Sequence, residues 1–332
     1  MKVSELGEFG LIEILNQIVG ESGKADPDLS IGIGDDAAAW QCGESLQVST
    51  TDMLVEGIHF SPDTISWHDL GWKALAVNIS DIAAMGGIPV YAMISLGMPP
   101  ETEVERIADL YQGMAKISRE FGLSIVGGDT TEAPLLIISP TVTGWTEKDR
   151  LMTRSSAKPG DLIAVTGNLG ASAAGLKMLQ QGLLFDADTD AFLKEALLRP
   201  YPRVNEGKIL SQHNVKTAID ISDGLVADLT HICQSSQVSA SLFSENIPTH
   251  PAVKDHFPAE ALSLALSGGE DYELLFTAPE QIIEEARQQL STPLTLIGKI
   301  TVGKPGNVTI LDRDGNLIVL PKRGWEHFGH TR

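Results

Sequence analysis

The stretch Trp67-His68-Asp69-Leu70-Gly71-Trp72-Lys73-Ala74-Leu75-Ala76-Val77-Asn78-Ile79-Ser80-Asp81-Ile82-Ala83-Ala84-Met85 is apolar nearly all the way round when wound into a helix. A helix of that kind lies inside a domain rather than on its surface. Yet Asn78, Ser80 and Asp81 sit in its middle. An unpaired buried carboxylate is strongly unfavourable, so Asp81 needs a partner. A hydrogen bond to backbone or a buried Lys or Arg would satisfy it. A metal ion does so too, and Asn78, one turn earlier on the same face, favours that reading.

Outward from this helix the elements are mixed. Phe9, Ile12, Leu15, Ile18 and Val19 have helical spacing near the N-terminus. Apolar runs at Leu46–Ser49, Ser124–Val126 and Leu135–Val142 read as strands. Pro99-Pro100-Glu101 opens a helix with Val104, Ile107, Leu110, Met114, Ile117 and Phe121 on one face, closed by Gly122. The second half predicts helices over Gly170–Gln181, Leu225–Cys233 and Pro279–Leu290, with strands at Leu162–Val165, Ala218–Ile221, Tyr272–Thr277, Leu294–Ile300, Val308–Leu311 and Leu317–Leu320. Asp314-Gly315-Asn316 reads as the turn between the last two. This order is no clean βαβ alternation, so the expected fold is α+β, with mostly antiparallel sheets covered by helices. A polar break from Glu147 to Lys158 precedes Pro159-Gly160-Asp161, which divides the chain into domains at 1–150 and 151–332.

Acidic residues stand repeatedly beside glycine or hydroxyl residues next to short apolar runs: Gly34-Asp35-Asp36, Thr50-Thr51-Asp52, Asn78-Ile79-Ser80-Asp81, Gly127-Gly128-Asp129-Thr130-Thr131, Asp220-Ile221-Ser222-Asp223-Gly224 and Ser267-Gly268-Gly269-Glu270-Asp271. Each alone has a plainer reading. Gly34-Asp35-Asp36 and Gly127-Gly128-Asp129 could be turns, and Asp52 or Asp223 could cap a helix. Together, carboxylates at strand ends beside glycines that admit a phosphate describe a magnesium–phosphate site. Gly167-Asn168-Leu169-Gly170 resembles a helix start that binds an anion. Taken alone, His59 reads as a surface or core histidine and Trp325 as a packing residue.

Composition limits the alternatives. A chain of 332 residues, 42% apolar, has room for about two domains. No apolar run approaches the roughly 20 residues of a membrane span. Glu5, Glu8 and Glu13 occupy the place where a signal peptide is basic and then apolar. Cys42 and Cys233, far apart and without ligand spacing, fit reduced core residues of a cytoplasmic protein. A net charge of −20 argues against nucleic acid as a partner. It leaves room for phosphorylated small molecules when Mg²⁺ bridges the two anions. No P-loop, kinase His-Arg-Asp set, His-Glu-x-x-His or Gly-x-Ser-x-Gly is present.

Taken together, Gly32-Ile33-Gly34-Asp35-Asp36-Ala37, Thr51-Asp52 with Gly57-Ile58-His59-Phe60, Lys73–Asp81, Gly127–Thr131, Thr153-Arg154-Ser155, Lys158–Asp161, Ile219–Gly224, Ser267–Glu273 and Lys322-Arg323-Gly324-Trp325 resemble the thiamine-monophosphate kinases. These belong to the superfamily of aminoimidazole ribonucleotide synthetase and selenophosphate synthetase. The resemblance runs over almost the whole chain. It implies an aminoimidazole ribonucleotide synthetase-like fold and a cytoplasmic homodimer formed by the N-terminal domains. The implied reaction is ATP-dependent phosphorylation of thiamine monophosphate to thiamine diphosphate by direct in-line transfer.

Carried onto this chain, the resemblance implies Asp36, Thr50, Thr51, Asp52, Asp81, Asp129, Asp220 and Asp223 as ligands of several Mg²⁺ ions. It further implies Tyr111, Gly128, Asp129, Arg154 and Ser222 as ATP contacts. His59, Glu270 and Trp325 would contact the thiamine phosphate, with no protein nucleophile. Two alternatives remain at this point: a synthetase-type ATP-using enzyme of the same superfamily, and a non-catalytic maturation or scaffold member.

Overall fold

The computed structural model describes residues 2–22 and 27–327. Its first half runs α1 (Val3–Ser22), β1 (Leu29–Ile31), β2 (Ala38–Cys42), β3 (Ser45–Thr51), β4 (Leu54–Val55), α2 (Trp67–Ala84), β5 (Ile88–Met98), α3 (Val104–Phe121), β6 (Ser124–Glu132) and β7 (Ile137–Glu147). These strands form one sheet in the order β1-β2-β3-β7-β5-β6, with β4 added beside β7. The second half runs β8 (Leu162–Thr166), α4 (Ala171–Gln181), α5 (Ala187–Leu198), α6 (Val204–Gln212), β9 (Thr217–Asp220), α7 (Leu225–Ser235), β10 (Ser239–Phe243), α8 (Pro251–His256), α9 (Ala261–Ser267), β11 (Leu274–Ala278), α10 (Glu280–Arg287), β12 (Leu294–Thr301), β13 (Val308–Leu311) and β14 (Leu317–Ile318). Its sheet has the order β14-β13-β10-β12-β8-β11-β9. Within the two sheets only β5 with β6 and β10 with β13 pair in parallel, so the fold is α+β and mostly antiparallel.

The all-round apolar character of α2 follows from its place. It packs against α3 and β7 of the first half and against α6 and β9 of the second. Ser66 caps it by accepting the Asp69 N–H. The contact with α3 is a backbone approach: a Cβ on Gly71 would lie 1.9 Å from the Leu110 carbonyl, and one on Gly113 1.8 Å from that of His68. No other residue type fits at either position. The first core gathers Leu75, Ile79 and Ile82 of α2 with Ile94, Leu110, Met114 and Ile117, and it also takes Tyr272 from the second half. A second core lies under α7 and β8–β12.

Several boundaries differ from expectation for physical reasons. The helix expected to open at Pro99 starts at Val104, because Pro99 and Pro100 follow directly on β5 and lie in the turn between it and α3. β6 does not stop at its double glycine, since it stays paired with β5 as far as Glu132. The Asp314-Gly315-Asn316 turn joins β13 to β14 in antiparallel register as expected.

Candidate active site

A cleft of about 1500 Å³ is lined from both halves of the chain. In it, Asp36 from the turn before β2, Asp81 from α2 and Asp220 from the end of β9 bring carboxylate oxygens within 4.8 Å of one another. Hydroxyl and amide groups fix their orientations. Thr50 Oγ1 donates to Asp81 Oδ2 at 2.6 Å, and Ser80 Oγ donates to Asp220 Oδ2 at 2.6 Å. The Asp52 N–H donates to Asn78 Oδ1 at 3.0 Å. The polar residues in the middle of α2 are therefore the ones that assemble the site. Arg154 pairs with Asp36 through its guanidinium, and its backbone N–H donates to Asp35 Oδ2 at 3.1 Å. Asp36 Oδ2 is buried and has no hydrogen-bond partner among the described residues. Three converging carboxylates, one with an unpartnered buried oxygen, make a hard all-oxygen donor set that suits Mg²⁺.

The electrostatics have the same origin. Burial pushes Asp35 up to about 7, Asp52 up to about 6 and Asp220 up to about 8, with the Asp36 charge adding to each. Asp81 is raised well above the carboxylate range, first by burial and then by Asp52, Asp220 and Asp36. Burial also raises Asp36, against the pull of Arg154. Like charges this close in a low dielectric hold protons until a cation arrives.

Beside this cluster lies a second one, in which Asp223, Asp228 and His231 bring ligand atoms within 4.8 Å. Asp223 does not cap α7. Gly224 stands at the cap position, and its N–H donates to Asp228 Oδ2 at 3.0 Å. Burial, then Arg154, holds His231 down to about 4, so its imidazole is neutral near pH 7. Asp228 and His231 were not singled out from sequence. Their i, i+3 spacing on a helix that begins right after Asp220–Gly224 was the available signal.

His59, Glu270 and Trp325 line the same cleft. His59 Nδ1 accepts the Val55 N–H at 3.0 Å, and its Nε2 lies 3.3 Å from His327 Nε2. Trp325 is anchored by its N–H to the Asp223 carbonyl at 2.9 Å, while its side chain stays half-exposed under the Lys322 ammonium, 4.7 Å from the ring centroid. Trp325 is thus not the packing residue that it alone suggested. Thr51, Asp52, Ser222 and Arg154 line the same cleft.

Three expected site residues do not join the cleft within one chain. Asp129 and Gly128 lie on β6, an exposed edge strand. Thr51 aligns through Thr141 and Met93 with Gly127, so three strand spacings, about 14 Å, separate β3 from β6. Tyr111 packs on α3 against the first core. The helix start at Gly170 is already occupied from within the chain, since Asp271 Oδ2 accepts the Gly170 N–H at 2.7 Å.

Two family models match the chain, the AIR synthase related protein N-terminal domain at residues 34–146 and its C-terminal domain at residues 158–310. The thiamine-monophosphate kinase of Escherichia coli K12 is 41% identical over 330 residues, which is 97% of this chain and 98% of that one. The chain belongs to the thiamine-monophosphate kinase family. The Bacillus subtilis thiamine-monophosphate kinase is 37% identical over 90% of this chain and 94% of its own length. The solved structure described as AaThiL complexed with AMPPCP and TMP matches with a TM-score of 0.87 at 34% identity, covering 98% of this chain and 99% of that one. The two-domain α+β architecture of this thiamine-monophosphate kinase family member is thus its family's.

The raised carboxylates have a consequence for stability. A carboxylate whose folded pKa lies above its unfolded value of 3.8 adds stability at low pH that is lost as pH rises through the folded pKa. With Asp52 at about 6, Asp35 at about 7 and Asp220 at about 8, the chelated protein should lose thermal stability between about pH 4 and pH 8. Added Mg²⁺ should restore the Tm, and by more at the alkaline end. A Tm in EDTA that rises steadily across this window would show that the cluster does not carry this strain.

Proposed function

We propose that this chain transfers the γ-phosphate of ATP directly and in line to the phosphate of thiamine monophosphate, forming thiamine diphosphate in the last step of that cofactor's biosynthesis. The observation that carries the reading is the Asp36–Asp81–Asp220 cluster in one cleft with His59, Glu270 and Trp325. Donor and acceptor are both phosphate anions, so bringing them together is chiefly an electrostatic problem. Asp36, Asp81 and Asp220, with Thr50, Thr51, Asp52 and Asp223, would hold Mg²⁺, and the bound cation would supply the neutralising charge. The protein's part is to hold the two phosphates aligned, with Arg154 and Ser222 on the nucleotide side. No protein nucleophile is needed. Burial pushes the Cys233 thiol up to about 12, which leaves it inert. The synthetase-type and scaffold alternatives are not favoured, since relatives named thiamine-monophosphate kinase share 35–41% identity over 90% or more of the chain.

Residues 1–150 form the metal-binding and dimerising half in this reading, and residues 151–332 complete the nucleotide and acceptor sites. The outer face of the first sheet supports a homodimer. On β5, Ala92, Ile94 and Leu96 turn inward while Tyr91 and Met93 are exposed, and Val126 and Trp145 are exposed on the neighbouring strands. An apolar sheet face of this kind marks an association surface. Sedimentation as a clean monomer at micromolar concentration would sink the dimer. Among the described residues no helix is long and apolar enough to cross a membrane. Cys233 is buried in the second core, whereas Cys42 at the end of β2 is exposed and not the core residue expected; two cysteines without a disulfide fit a cytoplasmic enzyme.

Turnover of ATP measured with thiamine monophosphate, with free thiamine and with buffer alone tests the reaction. Trp325 tests the acceptor end. Thiamine carries a cationic thiazolium, and a cation over an indole contributes roughly 0.5–2 kcal/mol. Trp325→Ala should therefore raise the acceptor KM by about an order of magnitude and leave the ATP KM nearly unchanged, while Trp325→Phe should be mild. If Trp325→Ala weakens ATP instead, the indole serves the nucleotide side.

A further inference from the structure

Lys73 stands one turn of α2 before Val77 and two before Asp81, and all three line the cleft. Its Nζ lies 2.8 Å from Glu270 Oε1, and the two side chains differ sharply in access: 4% exposed for Lys73 and 31% for Glu270. The ammonium is thus shut behind the carboxylate, and a ligand in the cleft meets Glu270 first. Glu270 itself sits in a costly backbone. Its φ is 65°, and two residues on Tyr272 has φ 50°, a region that non-glycine residues seldom occupy.

The surroundings hold that loop from every side. The Glu270 N–H donates to the Ser222 carbonyl at 2.7 Å and the Tyr272 N–H to that of Ile221 at 2.9 Å. Asp271 accepts from the start of α4, and Tyr272 is buried in the first core. A Cβ on Gly269 would lie 2.3 Å from the Ser222 carbonyl. The backbone is fixed by these contacts, and the direction of the Glu270 carboxylate is fixed by Lys73.

We infer that Lys73 is a positioning residue of the acceptor subsite, which acts through Glu270 and sets the affinity for thiamine monophosphate rather than the rate of transfer. The inference rests on the function proposed above. Without the buried ammonium the partly exposed carboxylate turns to water and is lost to the ligand, and a lysine buried this deeply is found where it is paired.

Lys73→Met, which fills the slot without charge, should raise both the acceptor KM and the Kd for thiamine monophosphate, the latter measured by calorimetry without ATP. The expected rise is about 10- to 100-fold, the loss typical when a binding group's supporting partner is removed. The ATP KM and kcat should change little. Because Lys73 acts through Glu270, adding Lys73→Met to Glu270→Gln should cost nothing beyond Glu270→Gln alone. Should Lys73→Met not fold, Lys73→Gln enters the same cycle. Unchanged acceptor binding in Lys73→Met, or a full additional factor in the double variant, overturns the inference. A wild-type protein that neither binds nor turns over thiamine monophosphate would instead overturn the proposed function.

Discussion

Asp52→Asn is expected to lower kcat by at least about 10³-fold, since several kcal/mol of charge neutralisation depend on the cluster and each decade in rate is about 1.4 kcal/mol. Asp52 is tied into that cluster on both sides: its N–H is held by Asn78, and its carboxyl shares a hydrogen bond with Asp81 and feels the Asp36 charge. The fold should not suffer. Burial first, then the Asp36 charge, pushes Asp52 up to about 6, so near pH 7 without metal its ionised form burdens the folded state. An amide of the same shape removes that charge and can keep a hydrogen bond to Asp81. The chelated variant should therefore melt at or above the wild-type Tm at pH 8 and gain much less from added Mg²⁺. A variant that unfolds, yet keeps wild-type specific activity in its soluble fraction, would mean that Asp52 serves packing rather than phosphate transfer.

What could be seen in the sequence divides along physical lines. The all-round apolar helix with Asn78, Ser80 and Asp81 in its middle was legible, because burial and an ionisable group are each local properties and their conflict demands a partner. Its partners Thr50 and Asp220 came from two further acid motifs, and the structure brings them to hydrogen-bonding distance. Lys73 was visible as a lone cation in the same helix, but its partner depended on a loop about 200 residues away. β5 was missed because Pro89 argues against a central strand; the sheet accommodates it beside a register shift between Pro89 and Tyr91. The helices α5 and α6 went unread for a different reason: their few apolar residues are shared out between neighbours, α5 chiefly against α4 and α6 against α2, and never form a long clean stripe. The place of Asp129 is of a third kind. No local pattern reveals strand order, and β6 sits at the far edge of its sheet, beyond β5 and β7 from β3.

That placement leads to a result that depends on two chains. Asp129→Asn should abolish turnover as completely as Asp52→Asn, although Asp129 is exposed on β6 and lies outside the cleft of its own chain. In a homodimer joined through the outer face of the first sheet, the edge carrying Gly127–Thr131 can complete the partner's site, and neither subunit is whole alone. Mixing the two inactive variants discriminates sharply. If Asp129 serves the partner, a mixed dimer has one site with both lesions and one with none, so refolding equal amounts together should recover about a quarter of wild-type activity, half of the dimers being mixed with one good site each. If Asp129 serves its own chain, every site carries one lesion and the mixture stays dead. Recovery should also vanish when Met93→Arg, a charge placed in the middle of the proposed contact face, is added to both chains, while the Tm of each domain core is kept. Full activity of Asp129→Asn by itself would remove this residue from the site altogether, and with it the reason for the second chain.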